Sequence, residues 1–137
     1  MASSEERDRV ARAGLEAFNA GDTAAVIELL AGDVEVFSSP ALANAGSFRG
    51  REGYLQWIAP WVEAWQGLEV KVERTTPVGE RHVVAEVHQV GHGRDGIKVS
   101  MDVAFLFEVS EQGRISYLGL HPDPSAVIAD ARVRERG

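Results

Sequence analysis

The segment RHVVAEVHQVGHG, residues 81–93, holds the side chains best suited to moving a proton, with Glu86, His88 and His92 at alternate positions. On an extended strand such residues share one face, i and i+2 lying about 6–7 Å apart, so the Glu86 carboxylate can orient or charge-pair with the His88 imidazole. An imidazole held by a carboxylate is a general acid or base near neutral pH. The candidate catalytic pair is therefore His88 as proton-transfer group and Glu86 as its orienter. The other parity, Val83, Ala85 and Val87, is the more apolar set, and alternation alone turns Glu86, His88 and His92 to solvent or to a subunit contact. Both readings stand at this stage.

No metal centre is expected. His82, His88, His92 and His121 lack close ligand spacing, and Glu86-x-His88 on one strand supplies two donors at most. His82 and His92 read as solvated loop residues. Asp102 shares the polar parity of its strand with Lys98 and Ser100 and reads as surface, and helix capping accounts for Asp123. Without cysteine there is no thiol nucleophile, thiolate site or disulfide. Neither GxxxxGK[ST] nor GxGxxG occurs, and no nucleophile elbow is present. No cofactor is expected.

The element that must wall any pocket is RGREGYLQWIAPWVEAWQ, residues 49–66, which holds all three tryptophans. Tyr54, Trp57, Ile58, Trp61, Val62 and Trp65 follow helical spacing and give one apolar face. Pro60 interrupts the pattern, which predicts a kink near Ile58–Ala59 or two short helices. Three large aromatics on one helix exceed what a small core needs, so at least one is expected to line a cavity.

The chain as a whole is ordinary for one soluble domain: 137 residues, 45% hydrophobic and 26% charged, enough to bury a core without staples. A net charge of −7 argues against nucleic acid or an anionic membrane as partner. The charged start, MASSEERDRVARAG, does not read as a signal peptide, and no stretch reaches the roughly 20 apolar residues of a bilayer span. A cytoplasmic location is expected.

Capping signals predict a first helix from Ser3 or Ser4 to Asn19–Gly21 and a second opened by Asp22 and closed by Gly32. Asp33–Ser39 reads as a strand and Pro40–Phe48 as a loop. From Gly67 on, period-two runs at 68–75, 81–92, 97–109 and 114–121 are separated by turn sequences. Asp123-Pro124 opens a C-terminal helix whose tail, ARVRERG, is expected to fray together with the first five residues. Helices first and hairpin-linked strands after define an α+β domain over 1–137, with helices on one side of a sheet of about four to six strands.

Three segments, AFNAGDTAAVIELLAGDVEVFSSP, FRGREGYLQWI and GRISYLGLHPDPSAV, stand in the order found in the SnoaL-like, ketosteroid isomerase-like branch of the nuclear transport factor two-like superfamily. The chain resembles that branch over nearly its whole length. The resemblance implies a cone-shaped, curved, antiparallel or mixed sheet wrapped around N-terminal helices, with a central pocket. It places the even-numbered face of 81–92 in that pocket. Members include isomerases, polyketide cyclases, epoxide hydrolases, dehydratases and binding domains, so fold does not select activity. The position of the isomerase's general base falls at Ser38 or Ser39, its oxyanion-binding tyrosine at Gly14, and its second aspartate near Val103 or Phe105. The cyclase His and Asp positions fall at Leu118 and Leu120. None of these groups is present, and the epoxide hydrolases' arginine between two aspartates has no counterpart.

Two functions are carried forward. One is a cofactor-free isomerase, cyclase or hydratase acting by proton transfer through His88 on a hydrophobic substrate. The other is a non-catalytic binding or dimerisation domain for a hydrophobic small molecule. In either, Phe18, Phe37, Tyr54, Trp57, Trp61, Met101, Phe105, Leu118 and Leu120 form the expected wall. Related folds often pair through the open sheet face, so a homodimer is expected.

Overall fold

The computed structural model describes residues 2–42 and 45–136. Two capped helices open the chain. Helix α1 (Ser4–Asn19) begins where Ser3 Oγ accepts the Glu6 N–H at 3.1 Å, and α2 (Thr23–Leu29) where Asp22 Oδ1 accepts the Ala25 N–H at 3.1 Å. Strand β1 (Leu30–Ser38) follows without a break. It starts before Gly32, the predicted stop, because Leu30 pairs with Ile115 and its carbonyl accepts from Arg51 Nη2 at 2.9 Å. The predicted loop contains a short strand, β2 (Gly46–Arg49), paired to β1; its residues 43 and 44 lie outside the described residues.

Helix α3 (Gly50–Ala64) runs through Pro60 as one element, where two helices were a possible expectation. Pro60 and Gln56, whose carbonyl loses its i+4 donor, are both exposed, so the freed acceptor is open to solvent. Strands β3 (Trp65–Val78), β4 (His82–Gly93), β5 (Lys98–Val109) and β6 (Ile115–His121) come next, then α4 (Pro124–Arg136). β3 is longer at both ends than its alternation suggested, since it pairs with β4 from Trp65 to Val78. A bulge at Glu73 sits between the Val72–Val87 and Arg74–Glu86 pairs.

The six strands form one curled, open sheet in the order β2-β1-β6-β5-β4-β3, antiparallel except for β1 against β6. Its two faces do different work. Val83, Ala85 and Val87 of β4, Val103, Phe105 and Phe107 of β5, and Leu118 and Leu120 of β6 face inward and pack with the first three helices. Val84, Ala104, Leu106 and Tyr117 face outward and are covered by Val127 and Ala131 of α4. Helices therefore lie on both faces of the sheet, not one.

The C-terminal tail, expected to fray, is helical to Arg136 and anchored. Glu135 accepts the Glu80 and Arg81 N–H groups at 2.9 Å each and meets His82 Nδ1 at 2.5 Å. His82, expected in solvent, is fully buried, because α4 closes over the start of β4. From the other side, buried Arg7 of α1 donates to the carbonyls of Gly79 at 3.0 Å and His82 at 3.1 Å. The turn between β3 and β4 is thus gripped by the first and last helices.

Asn19 fixes α1 to the cone. Its amide donates to Val70 O at 2.6 Å and accepts the Val70 N–H at 2.7 Å, replacing a neighbouring strand for that residue. Asn19→Ala leaves both backbone groups without these partners and is expected to cost about 1–2 kcal/mol, read as a lower urea midpoint. An unchanged midpoint would show that water replaces the amide fully.

Candidate functional site

The curled sheet and the first three helices line a cavity of about 50 Å³. Phe18 of α1, Tyr54, Trp57 and Trp61 of α3, Phe105 of β5, and Leu118 and Leu120 of β6 line it, together with Gly14, Leu15, Val26, Leu30, Ile58, Leu68, Val70, Gln89, Phe107 and Ile115. α3 reaches it because positions 54, 57, 58 and 61 share one stripe, and the strands reach it by the inward parity of the sheet. Tyr54 and Trp57 are buried with ring centroids 5.9 Å apart, whereas Trp61 is half-buried and stacks on Trp65 at 6.3 Å.

Apart from the indoles, two polar side chains face this space. Burial pushes the Tyr54 phenol up to about 12, so it stays protonated and offers a neutral donor. Gln89 brings an amide from β4, on the parity that alternation marks as inward. An uncharged amide carries no titratable signal in the sequence; its parity with Val83, Ala85 and Val87 is the one mark that sets it inward. Among the described residues no carboxylate and no imidazole lines the cavity.

Two expected wall residues lie elsewhere. Phe37 is on the outer face, packed with the Tyr117 cluster and 5.5 Å from the His121 ring, because β1 turns Val34 and Val36 inward instead. Met101 has the inward parity but is 39% exposed, since β5 extends past the cone at that end.

Glu86 and His88 are on the outer face, which corrects the expectation that the even-numbered side of β4 lines the pocket. The strand's alternation decides this, with Val83, Ala85 and Val87 inside. The two do not pair with each other. Glu86 lies 3.7 Å from Arg74 Nε, and His88 Nδ1 is 2.8 Å from Asp102 Oδ1, each partner being the cross-strand neighbour. The Glu73 bulge adds a carboxylate, so donor atoms of Glu73, His88 and Asp102 lie within 4.8 Å of one another, with Lys71 in register beside His88. His92 is at the rim of a second, open depression of about 560 Å³, bounded also by Asn19, Val62, Trp65 and Glu69. Phe18 and Leu68 line both spaces.

The sequence profile of the SnoaL-like domain matches residues 11–118, and the chain belongs to that family. A comparison with curated proteins finds no match. Among solved structures, TerC co-crystallised with polyporic acid superposes with a TM-score of 0.77 at 15% identity, over 93% of this chain and 98% of that one. RV0760c from Mycobacterium tuberculosis, in complex with estradiol-17beta-hemisuccinate, gives 0.73 at 16% identity, over 86% and 94%. A Delta 5-3-ketosteroid isomerase from Mycobacterium sp. gives 0.72 at 16% identity, over 88% and 95%. These likenesses establish the cone fold with ketosteroid isomerase-like neighbours. No helix of the described residues is long and apolar enough to cross a membrane.

Proposed function

We propose that this chain is a cytoplasmic, homodimeric binding protein that holds a hydrophobic small molecule with one polar group inside the cone. One observation carries the reading: the cavity wall is apolar and aromatic, its non-indole polar groups are Tyr54 and Gln89, and no acid or imidazole lines it among the described residues. Gly14, Phe105, Leu118 and Leu120, which fall at or near positions where related enzymes carry reactive groups, all line this wall, so apolar surface stands where proton transfer would need an acid or base. Tyr54 donates to the ligand's oxygen and Gln89 either donates or accepts. The small molecules held by TerC and RV0760c support the ligand class.

The cavity, at about 50 Å³, is far below the roughly 300 Å³ at which drug-sized ligands begin to fit. Displacing Phe18 and Leu68 joins it to the outer depression, and the combined space is large enough. Binding therefore couples to movement of these two side chains.

Titration with 2-naphthol, an aromatic with a single hydroxyl, tests this through tryptophan fluorescence. Tyr54→Phe is expected to weaken binding about fivefold by removing one hydrogen bond. His88→Ala, on the far side of the sheet, is expected to change nothing. Affinity unaffected by Tyr54→Phe and Gln89→Leu alike would remove the polar handles. Binding weakened by His88→Ala would move the site to the outer face.

A further inference from the structure

We propose that Glu73, His88 and Asp102 bind Zn²⁺ or a similar first-row divalent ion on the outer face of the sheet. The site stands apart from the cone and does not depend on what the cone holds. His88 of β4 and Asp102 of β5 are cross-strand neighbours, and opposite residues of an antiparallel pair send their side chains to one face. Their Nδ1 and Oδ1 atoms are 2.8 Å apart.

The bulge in β3 supplies the third donor. An unbroken ladder continued from the Val72–Val87 pair would set Glu73 opposite Glu86, carboxylate against carboxylate. The bulge takes Glu73 out of the ladder, gives Glu86 the Arg74 cation instead, and leaves Glu73 beside His88. One donor atom from each of Glu73, His88 and Asp102 then lies within 4.8 Å of the other two. Ligand atoms around an ion with bonds of about 2.0–2.2 Å stand no more than about 4.4 Å apart, so shifts of about 1 Å close the set. Strand spacing alone offers Glu86 and His88, which is why the sequence shows two donors and not this three.

Charge and chemistry favour a cation here. Among the described residues neither Glu73 nor Asp102 has an ion pair with lysine or arginine: Arg74 goes to Glu86 at 3.7 Å, and Lys71, in register with His88, pairs with neither. Two carboxylates thus converge on one imidazole, and a divalent ion neutralises both. A nitrogen in the set suits zinc and its neighbours, whereas calcium and magnesium take oxygen ligands. The His88 and Asp102 side chains are 40% and 78% exposed, so an ion reaches them from solvent and water completes its shell. Because the donors come from three strands, the set exists only in the folded chain. A bound ion would tie β3, β4 and β5 together beyond the part of the outer face that α4 covers at Val84, Ala104 and Leu106.

Calorimetric titration of the whole chain with Zn²⁺ tests the proposal. One equivalent is expected to bind and to raise the urea midpoint, since the ion favours the folded state. His88→Ala is expected to raise the Zn²⁺ Kd about a hundredfold, and Glu73→Gln and Asp102→Asn about tenfold each. Their midpoints without metal should stay near that of the native chain, because all three side chains lie outside the core. His92→Ala, which removes an exposed imidazole from the same strand, should leave the Kd unchanged, and Mg²⁺ should not compete. Undiminished binding by His88→Ala, or loss of binding in His92→Ala, overturns the site. Full-strength binding by Glu73→Gln overturns the three-donor set. No binding at millimolar Zn²⁺ overturns the proposal outright.

Discussion

Glu135→Gln is expected to lower the free energy of unfolding by about 2 kcal/mol at pH 7, the scale of lost hydrogen bonds to a partly buried charge. Burial pushes the Glu135 carboxyl up, but the Glu80 N–H, His82, the Arg81 N–H and the His82 charge together outweigh it and bring the group down from 4.5 to about 2. A folded-state value below the unfolded one means the unfolded chain binds the proton first. The contribution is thus fully present above 4.5 and is lost as pH falls through about 2. Urea denaturation of the native and variant chains across this range should show two curves that converge towards pH 2. Glutamine keeps an oxygen for one N–H and sets its NH2 against the other, so the pH dependence of the deficit, more than its size at pH 7, reads the charge. A deficit of the same size at pH 7 and at the acid end would mean that shape, not ionisation, joins α4 to the β3–β4 turn.

That latch was invisible in the sequence for a simple reason. Glu135 and His82 are 53 residues apart, and neither lies in a pattern that predicts its partner. Local signals served much better. Ser3, Asp22 and Asp123 act as helix starters through short-range hydrogen bonds that the neighbouring residues alone determine. The aromatic stripe of α3 reached the cavity because helical spacing survived Pro60. Parity on β4 was harder, because α4 covers the outer face at Val84 and so leaves apolar residues on both sides of the strand. The bulge at Glu73 left no mark either, since a polar residue within a polar run reads the same whether or not it is paired. The four-residue β2, among small residues that signal a loop, exists only through its pairing with β1.

These differences change what the site can do. With Glu86 and His88 outside, the cone is left with a phenol, an amide and indoles against apolar walls, a set suited to recognition. Selectivity then rests on shape and on one or two directed hydrogen bonds. On the proposed reading, the residues that would hold a ligand also hold the core, and the two tasks divide along α3.

Trp57 and Trp61, one turn apart, separate those tasks. Trp57 is 5% exposed and packs with Tyr54 in the main core, so Trp57→Ala is expected to destabilise the fold by about 3–5 kcal/mol, the range for truncating a buried aromatic. Trp61 is half-buried and stacks on Trp65 beside the outer depression. Its removal deletes a partly solvated contact, expected to cost about 1 kcal/mol of stability, and takes away an aromatic wall for the ligand. The 2-naphthol affinity of Trp61→Ala should fall about fivefold while its urea midpoint drops far less than that of Trp57→Ala. Phe18→Ala should act in the opposite sense on kinetics, speeding association by thinning the wall that Phe18 and Leu68 give to both spaces. Equal destabilisation by the two tryptophan changes would mean that Trp61 belongs to the core. Unchanged affinity in Trp61→Ala would place the ligand deeper, against Tyr54, Phe105 and Leu118, where the cavity of about 50 Å³ must widen to admit it.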